Sequence, residues 1–138
     1  MFKKILLPTD GSEHSQRATE KAIGLAELFD GEIEVVFVVD SKKSKNDVLH
    51  NTSKVEIELN RKEMLAPVVQ QMTKAGIPFT TEFLNGEPGP TIVEYANNGD
   101  YDVVVLGSKG LNKLQTMVLG SVSHKVAKDV KCPVMIVK

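Results

Sequence analysis

The sequence predicts a doubly wound α/β fold: a parallel sheet of five strands covered by four helices. Two observations predict it. Five short apolar runs alternate with segments of helical period along the chain, the pattern of a parallel sheet with helical crossovers. The second and fourth runs are also close to continuously apolar, as strands buried on both faces must be.

Lys3–Pro8 (KKILLP) is the first strand, bounded by Thr9-Asp10-Gly11-Ser12. Asp10 or Ser12 can cap the helix that follows. That helix carries Ala18, Ala22, Ile23, Ala26 and Phe29 on one face and ends at Asp30-Gly31, a glycine past the last turn. Glu32–Val39 (EIEVVFVV) is the second strand, rich in β-branched residues. From Asp40 to Ser53 no period survives, and residues 41–53 read as a mobile surface loop. Lys54–Ala75 regains helical period up to Gly76, with Pro67 inside it predicting a kink or break. Ile77–Leu84 is the third strand, placed at a sheet edge by Pro78. The turn Asn85–Pro90 (NGEPGP) leads to a helix over Thr91–Asn97, then a fourth strand over Tyr101–Leu106. A last helix from about Val118 to Asp129 precedes the final strand, Pro133–Val137.

A chain of 138 residues builds one core, so residues 1–138 read as one domain. With 17 basic and 18 acidic side chains the net charge is −1, which argues against nucleic acid or an anionic membrane as partner, since either calls for a basic excess. No apolar stretch approaches the ~20 residues of a membrane helix, and the N-terminus lacks an export segment. Cys132, the one cysteine, fits a reducing compartment, as a buried and inert thiol. The expectation is a cytoplasmic protein.

Three strand ends carry the chemistry. After the fourth strand comes Gly107-Ser108-Lys109-Gly110, then nine residues, then Gly120-Ser121. Glycines let a loop approach a ligand closely and turn its N–H groups inward. Convergent N–H groups with the dipole of a following helix form a nest for phosphate oxygens. Ser108, Ser121 and Ser123 can add hydroxyls and Lys109 a cation. The unliganded alternative is a glycine turn before a small-residue helix start. Pro8-Thr9-Asp10 ends the first strand, where Asp10 can accept from an adenine amino group or a ribose hydroxyl, or simply cap a helix. At Phe37-Val38-Val39-Asp40 the backbone can read an adenine edge, or the segment is an ordinary strand end.

KKILLPTDGS, FVVD, NGEPGP, GSKG-(x9)-GSVS and the closing CPVMIVK together resemble the universal stress protein family, in its ATP-binding branch, over essentially the whole chain. The resemblance implies an adenine nucleotide alpha hydrolase-like sheet in the order 3-2-1-4-5, and a homodimer joined through the last strand, 133–137. It also implies ATP in the crevice, with Mg or Mn arriving on the phosphates. Asp10 and the Val38 backbone would hold adenine, with Pro8 and Thr9 shaping the pocket. Gly107, Ser108, Lys109, Gly110, Gly120, Ser121 and Val122 would hold ribose and phosphates. Lys109 stands where relatives often carry histidine or arginine.

The implied function is regulatory and belongs to stress response: ATP occupancy modulates the homodimer and its contacts with an unidentified protein partner. The alternative is a slow ATPase, for which Gln115 is the one nearby residue able to orient water. A phospho-acceptor domain would need an acidic pair after strand one and an acceptor aspartate after strand three, where this chain has Asp10 alone and Asn85-Gly86. His14, His50 and His124 lack metal-ligand spacing; His124 reads as a solvated or capping side chain. The run Lys42-Lys43-Ser44-Lys45 reads as a solvated loop, or as one that closes over phosphate.

Overall fold

The computed structural model describes residues 1–10, 13–39, 53–108 and 120–138. The elements are β1 (Lys4–Thr9), α1 (Glu13–Phe29), β2 (Glu32–Val39), α2 (Lys54–Ala75), β3 (Phe79–Asn85), α3 (Pro88–Asn98), β4 (Val103–Gly107), α4 (Ser121–Asp129) and β5 (Val134–Val137). Every ladder is parallel and the order is β3-β2-β1-β4-β5, as the resemblance implies.

Successive strand residues point to opposite faces, so each buried strand feeds two cores. On one face Ile5, Leu7, Ile33, Val35, Phe37, Val103 and Val105 pack against Ala18, Ala22 and Ala26 of α1 and Leu65, Val68 and Met72 of α2. Small residues at four-residue spacing let α1 lie close to the sheet. On the other face Leu6, Val36, Val104 and Leu106 meet Ile92 and Ala96 of α3 and Val126 of α4. Each fully buried aliphatic or aromatic side chain contributes about 1.5–3 kcal/mol, so β1, β2 and β4 hold their carboxyl ends firmly in place.

The boundaries differ from the sequence expectations for identifiable reasons. The fourth strand starts at Val103 because the Asp102 carboxylate is committed to accepting the backbone N–H groups of Lys3 and Lys4, both at 2.9 Å. Tyr101, also expected in the strand, instead donates its hydroxyl to the Glu34 carboxylate. Burial and that bond push the phenol well above its ordinary range. The third helix starts at Pro88, not Thr91, since a proline with fixed φ and no N–H suits the first helical turn. Pro67 does not break α2, which runs unbroken over Lys54–Ala75. Leu65, Val68 and Met72 anchor it to the core on both sides of the proline, and packing outweighs one lost backbone bond. At the end of α1 the left-handed residue is Asp30, φ 54°, not Gly31.

Of the loop expected over 41–53, only Ser53 is described; it caps α2, its hydroxyl accepting the Glu56 N–H at 3.1 Å. The lysine run 42–45 and His50 lie outside the described residues. As expected from Pro78, β3 is an edge strand. Cys132 is half-buried rather than fully so, and burial raises its thiol pKa, which disfavours the thiolate form.

Candidate functional site

The chain leaves β1 toward β2 on one side and returns through β4 on the other. Loops diverge at such a reversal and leave a crevice beyond the strand carboxyl ends. Here the crevice is a cleft of about 220 Å³. Pro8, Thr9 and Asp10 border it from β1, Val38 from β2, and Leu106 and Gly107 from β4. Gly120, Ser121, Val122 and Ser123 close it from the start of α4, Pro88 and Ile92 from α3, and Ser15 from α1.

Of the residues singled out from sequence, Pro8, Thr9, Asp10, Val38, Gly107, Gly120, Ser121 and Val122 therefore meet around one cavity. Ser108 is not on the wall. Its N–H donates to the Val137 carbonyl at 2.9 Å and its own carbonyl accepts the Gly120 N–H at 2.9 Å. Lys109, Gly110 and Gln115 lie outside the described residues. Ser123, expected to offer its hydroxyl to phosphate, donates it to the Gly107 carbonyl at 2.6 Å instead.

The β2 wall has a definite polarity. Glu32 donates its N–H to Lys3 O at 2.7 Å, whereas Ile33 donates to Pro78 O at 3.0 Å and Val39 O accepts from Gly86 at 3.0 Å. Even-numbered residues of β2 thus turn their backbone groups toward β1 and odd-numbered ones toward β3. The β1–β2 register ends at Thr9 opposite Phe37. Val38, next in the even series, points its carbonyl past the end of that ladder, on the cleft side.

At the opposite wall Gly120 is the N-cap of α4, without a side-chain cap, and no acidic residue stands in the first turn. The His124 N–H closes that turn onto Gly120 O at 2.9 Å, and the ring itself is exposed. The N–H groups of Ser121, Val122 and Ser123 precede any helical acceptor and carry the positive end of the helix dipole. The arrangement offers an apolar slot made by Pro8, Val38, Ile92, Leu106 and Val122, with a carbonyl at one end and amide donors at the other. It suits a flat heterocycle bearing an anionic tail.

Sequence reasoning missed Ser15, Pro88, Ile92 and Leu106. Leu106 was legible as the residue before the glycine loop. Pro88 and Ile92 border the cleft from the first turns of α3, beside Gly89, where an added Cβ would lie 3.2 Å from Lys125 Cγ of α4. Among the described residues no three His, Cys, Asp or Glu side chains gather as a metal cluster, and no helix is long and apolar enough to cross a membrane.

Comparison with known proteins supports the same assignment of fold. The family model described as Universal stress protein family matches residues 1–138. The universal stress protein MJ0531 of Methanocaldococcus jannaschii is 36% identical over 141 residues, covering 100% of this chain and 83% of that protein. Among solved structures, the protein MJ0577 superposes with a TM-score of 0.85 at 28% identity, over 100% of this chain and 96% of its own. The universal stress protein of Archaeoglobus fulgidus in complex with dAMP superposes with a TM-score of 0.73 at 24% identity, over 100% of both chains.

Proposed function

The chain belongs to the universal stress protein family, and from that premise we propose that its cleft binds an adenine nucleotide, ATP being the ligand the sequence resemblance favours. The observation that carries this reading is the convergence of the Val38 strand end and the α4 N-terminus on one cleft. A carbonyl acceptor at Val38 suits the exocyclic amine of adenine and disfavours the oxygen that guanine presents at the same position. Asp10 can accept from that amine or from ribose. The apolar slot takes the ring, and the first-turn amides of Ser121 and Val122 take phosphate, with Gly107, Lys109, Gly110 and Gly120 as the remaining ribose and phosphate residues. Ser108, its backbone groups committed elsewhere, is able to add only its hydroxyl. Mg or Mn would come with the polyphosphate, held by its oxygens and water.

The protein acts as a stress-response regulator: nucleotide occupancy modulates a homodimer formed through β5, and a partner protein responds to that state. Support for the link comes from Ser108, whose N–H reaches Val137 at the end of β5. Shifting the dimer requires that nucleotide bind one state more tightly than the other. Residues 1–138 act as one domain, and a half-buried thiol that has no second cysteine to pair with suits the reducing cytoplasm.

The test is to denature purified protein, identify released nucleotide by chromatography and mass, and titrate the stripped protein with ATP, AMP and GTP in a calorimeter. Adenine nucleotide in the extract, or adenine-selective binding, is expected. Empty extract with no heat from ATP or AMP, or equal affinity for GTP, would overturn the reading.

A further inference from the structure

Two bonds that need no ligand close the stem of the glycine loop. Ser123 Oγ donates to the Gly107 carbonyl at 2.6 Å, and the Gly120 N–H donates to the Ser108 carbonyl at 2.9 Å. Ser123 is the third residue of α4, only 4% exposed, and borders the cleft. Side chains in a helix lean toward its N-terminus, which brings this hydroxyl back over the end of β4. A hydroxyl has one proton to give, and at 2.6 Å that proton is committed to Gly107.

We propose that Ser123 is a positioning residue for the phosphate end of the cleft, acting through Gly107 and not on the ligand. This rests on the nucleotide reading above. The staple does two things. It ties the first turn of α4 to the last residue of the buried inner strand β4, so the amides of Ser121 and Val122 are in place before a phosphate arrives. Such preorganisation removes an ordering cost from binding. It also satisfies a carbonyl oxygen on the cleft wall whose partial negative charge would otherwise face an anion.

The consequence is selective for phosphate. With Ser123→Ala in the full-length chain, AMP should bind roughly tenfold more weakly, while adenosine, which lacks phosphate, stays within about twofold of wild type. Ser123→Thr, which keeps the hydroxyl, should bind AMP as wild type does. Equal losses for AMP and adenosine, an unchanged AMP affinity in the alanine variant, or a folded threonine variant that behaves like alanine would each overturn the proposal. Hydrogen exchange in ligand-free protein tests the staple separately. The Gly120 amide should exchange roughly tenfold or more faster in Ser123→Ala, with the β4 amides of Val104 and Val105 unchanged. Unchanged exchange at Gly120 would overturn the staple. Wild-type protein that binds neither AMP nor adenosine would sink the nucleotide reading and with it the phosphate role, and exchange at Gly120 would still decide whether the staple exists.

Discussion

Gly31 lies so close to the backbone of Lys3 that a Cβ added to it would stand 2.7 Å from the Lys3 carbonyl oxygen and 2.9 Å from its Cα. The neighbouring Glu32 N–H donates to that same oxygen at 2.7 Å, so this contact is where β2 takes its register on β1. Backbone cannot give way as a flexible side chain can. Gly31→Ala should therefore destabilise the protein by about 1–3 kcal/mol, as overpacking in a well-packed interior does. A chemical-denaturation midpoint lowered with no change in slope would be the signature.

Asp102 is joined electrostatically to Lys3 and Lys4, where the chain enters β1. The Lys4 and Lys3 backbone N–H groups hold its carboxyl below the ordinary value of 3.8. A carboxylate with a depressed folded-state pKa stabilises above its unfolded value, and that contribution disappears as pH falls through the folded value. Asp102→Asn should accordingly be less stable than wild type at neutral pH. The gap between the two should narrow below about pH 4, as wild type loses the contribution that the variant never had. Thermal melts of both proteins across pH 2–7 would check it, and a gap independent of pH would count against this account.

These two contacts show what the sequence could and could not convey. The glycines at 107 and 120 and the Pro8–Asp10 turn were legible because each follows or ends a strong apolar run, whereas Val38 lies inside such a run and was legible only through the family resemblance; the crevice follows from strand order. Gly31 was legible as a helix terminator, but the turn is made by Asp30, and glycine is required by the approach of Lys3, a distant part of the chain. Ser123 was legible as a hydroxyl near the loop, but its acceptor depends on how α4 sits over β4. Pro88 and Ile92 reach the cleft through the way α3 packs beside α4 and over the sheet, which no local period encodes. Local punctuation found the strand ends; tertiary approach decided the other walls.

Pro67 sits exposed in the interior of α2 and can donate no N–H to the preceding turn. Because its side chain is in no core cluster, replacing it removes little packing. Pro67→Ala should stabilise the protein by up to about 3 kcal/mol, the interior helix cost of proline, visible as a higher melting temperature. A lower melting temperature would mean that the ring contributes packing, or that its restriction of the unfolded chain outweighs the helical cost.

The proposed homodimer makes a sharper demand on β5. Pro133 and Val137 direct their carbonyls inward, accepting from Val104 at 3.0 Å and from Ser108 at 2.9 Å. Alternation along the strand then turns the backbone groups of Val134 and Ile136 outward, along an edge that pairs with no strand among the described residues. Met135, 36% exposed, adds apolar surface beside that edge. A second copy of β5 can pair with these outward groups. Proline at position 134 would remove one outward donor without breaking a bond to β4, and its volume is close to that of valine. Val134→Pro should therefore shift the protein from dimer to monomer in sedimentation equilibrium while its circular dichroism stays that of wild type. A variant that remains fully dimeric would place the interface elsewhere on the molecule. Wild type that sediments as a monomer with and without ATP would remove the dimer from the proposed mechanism altogether.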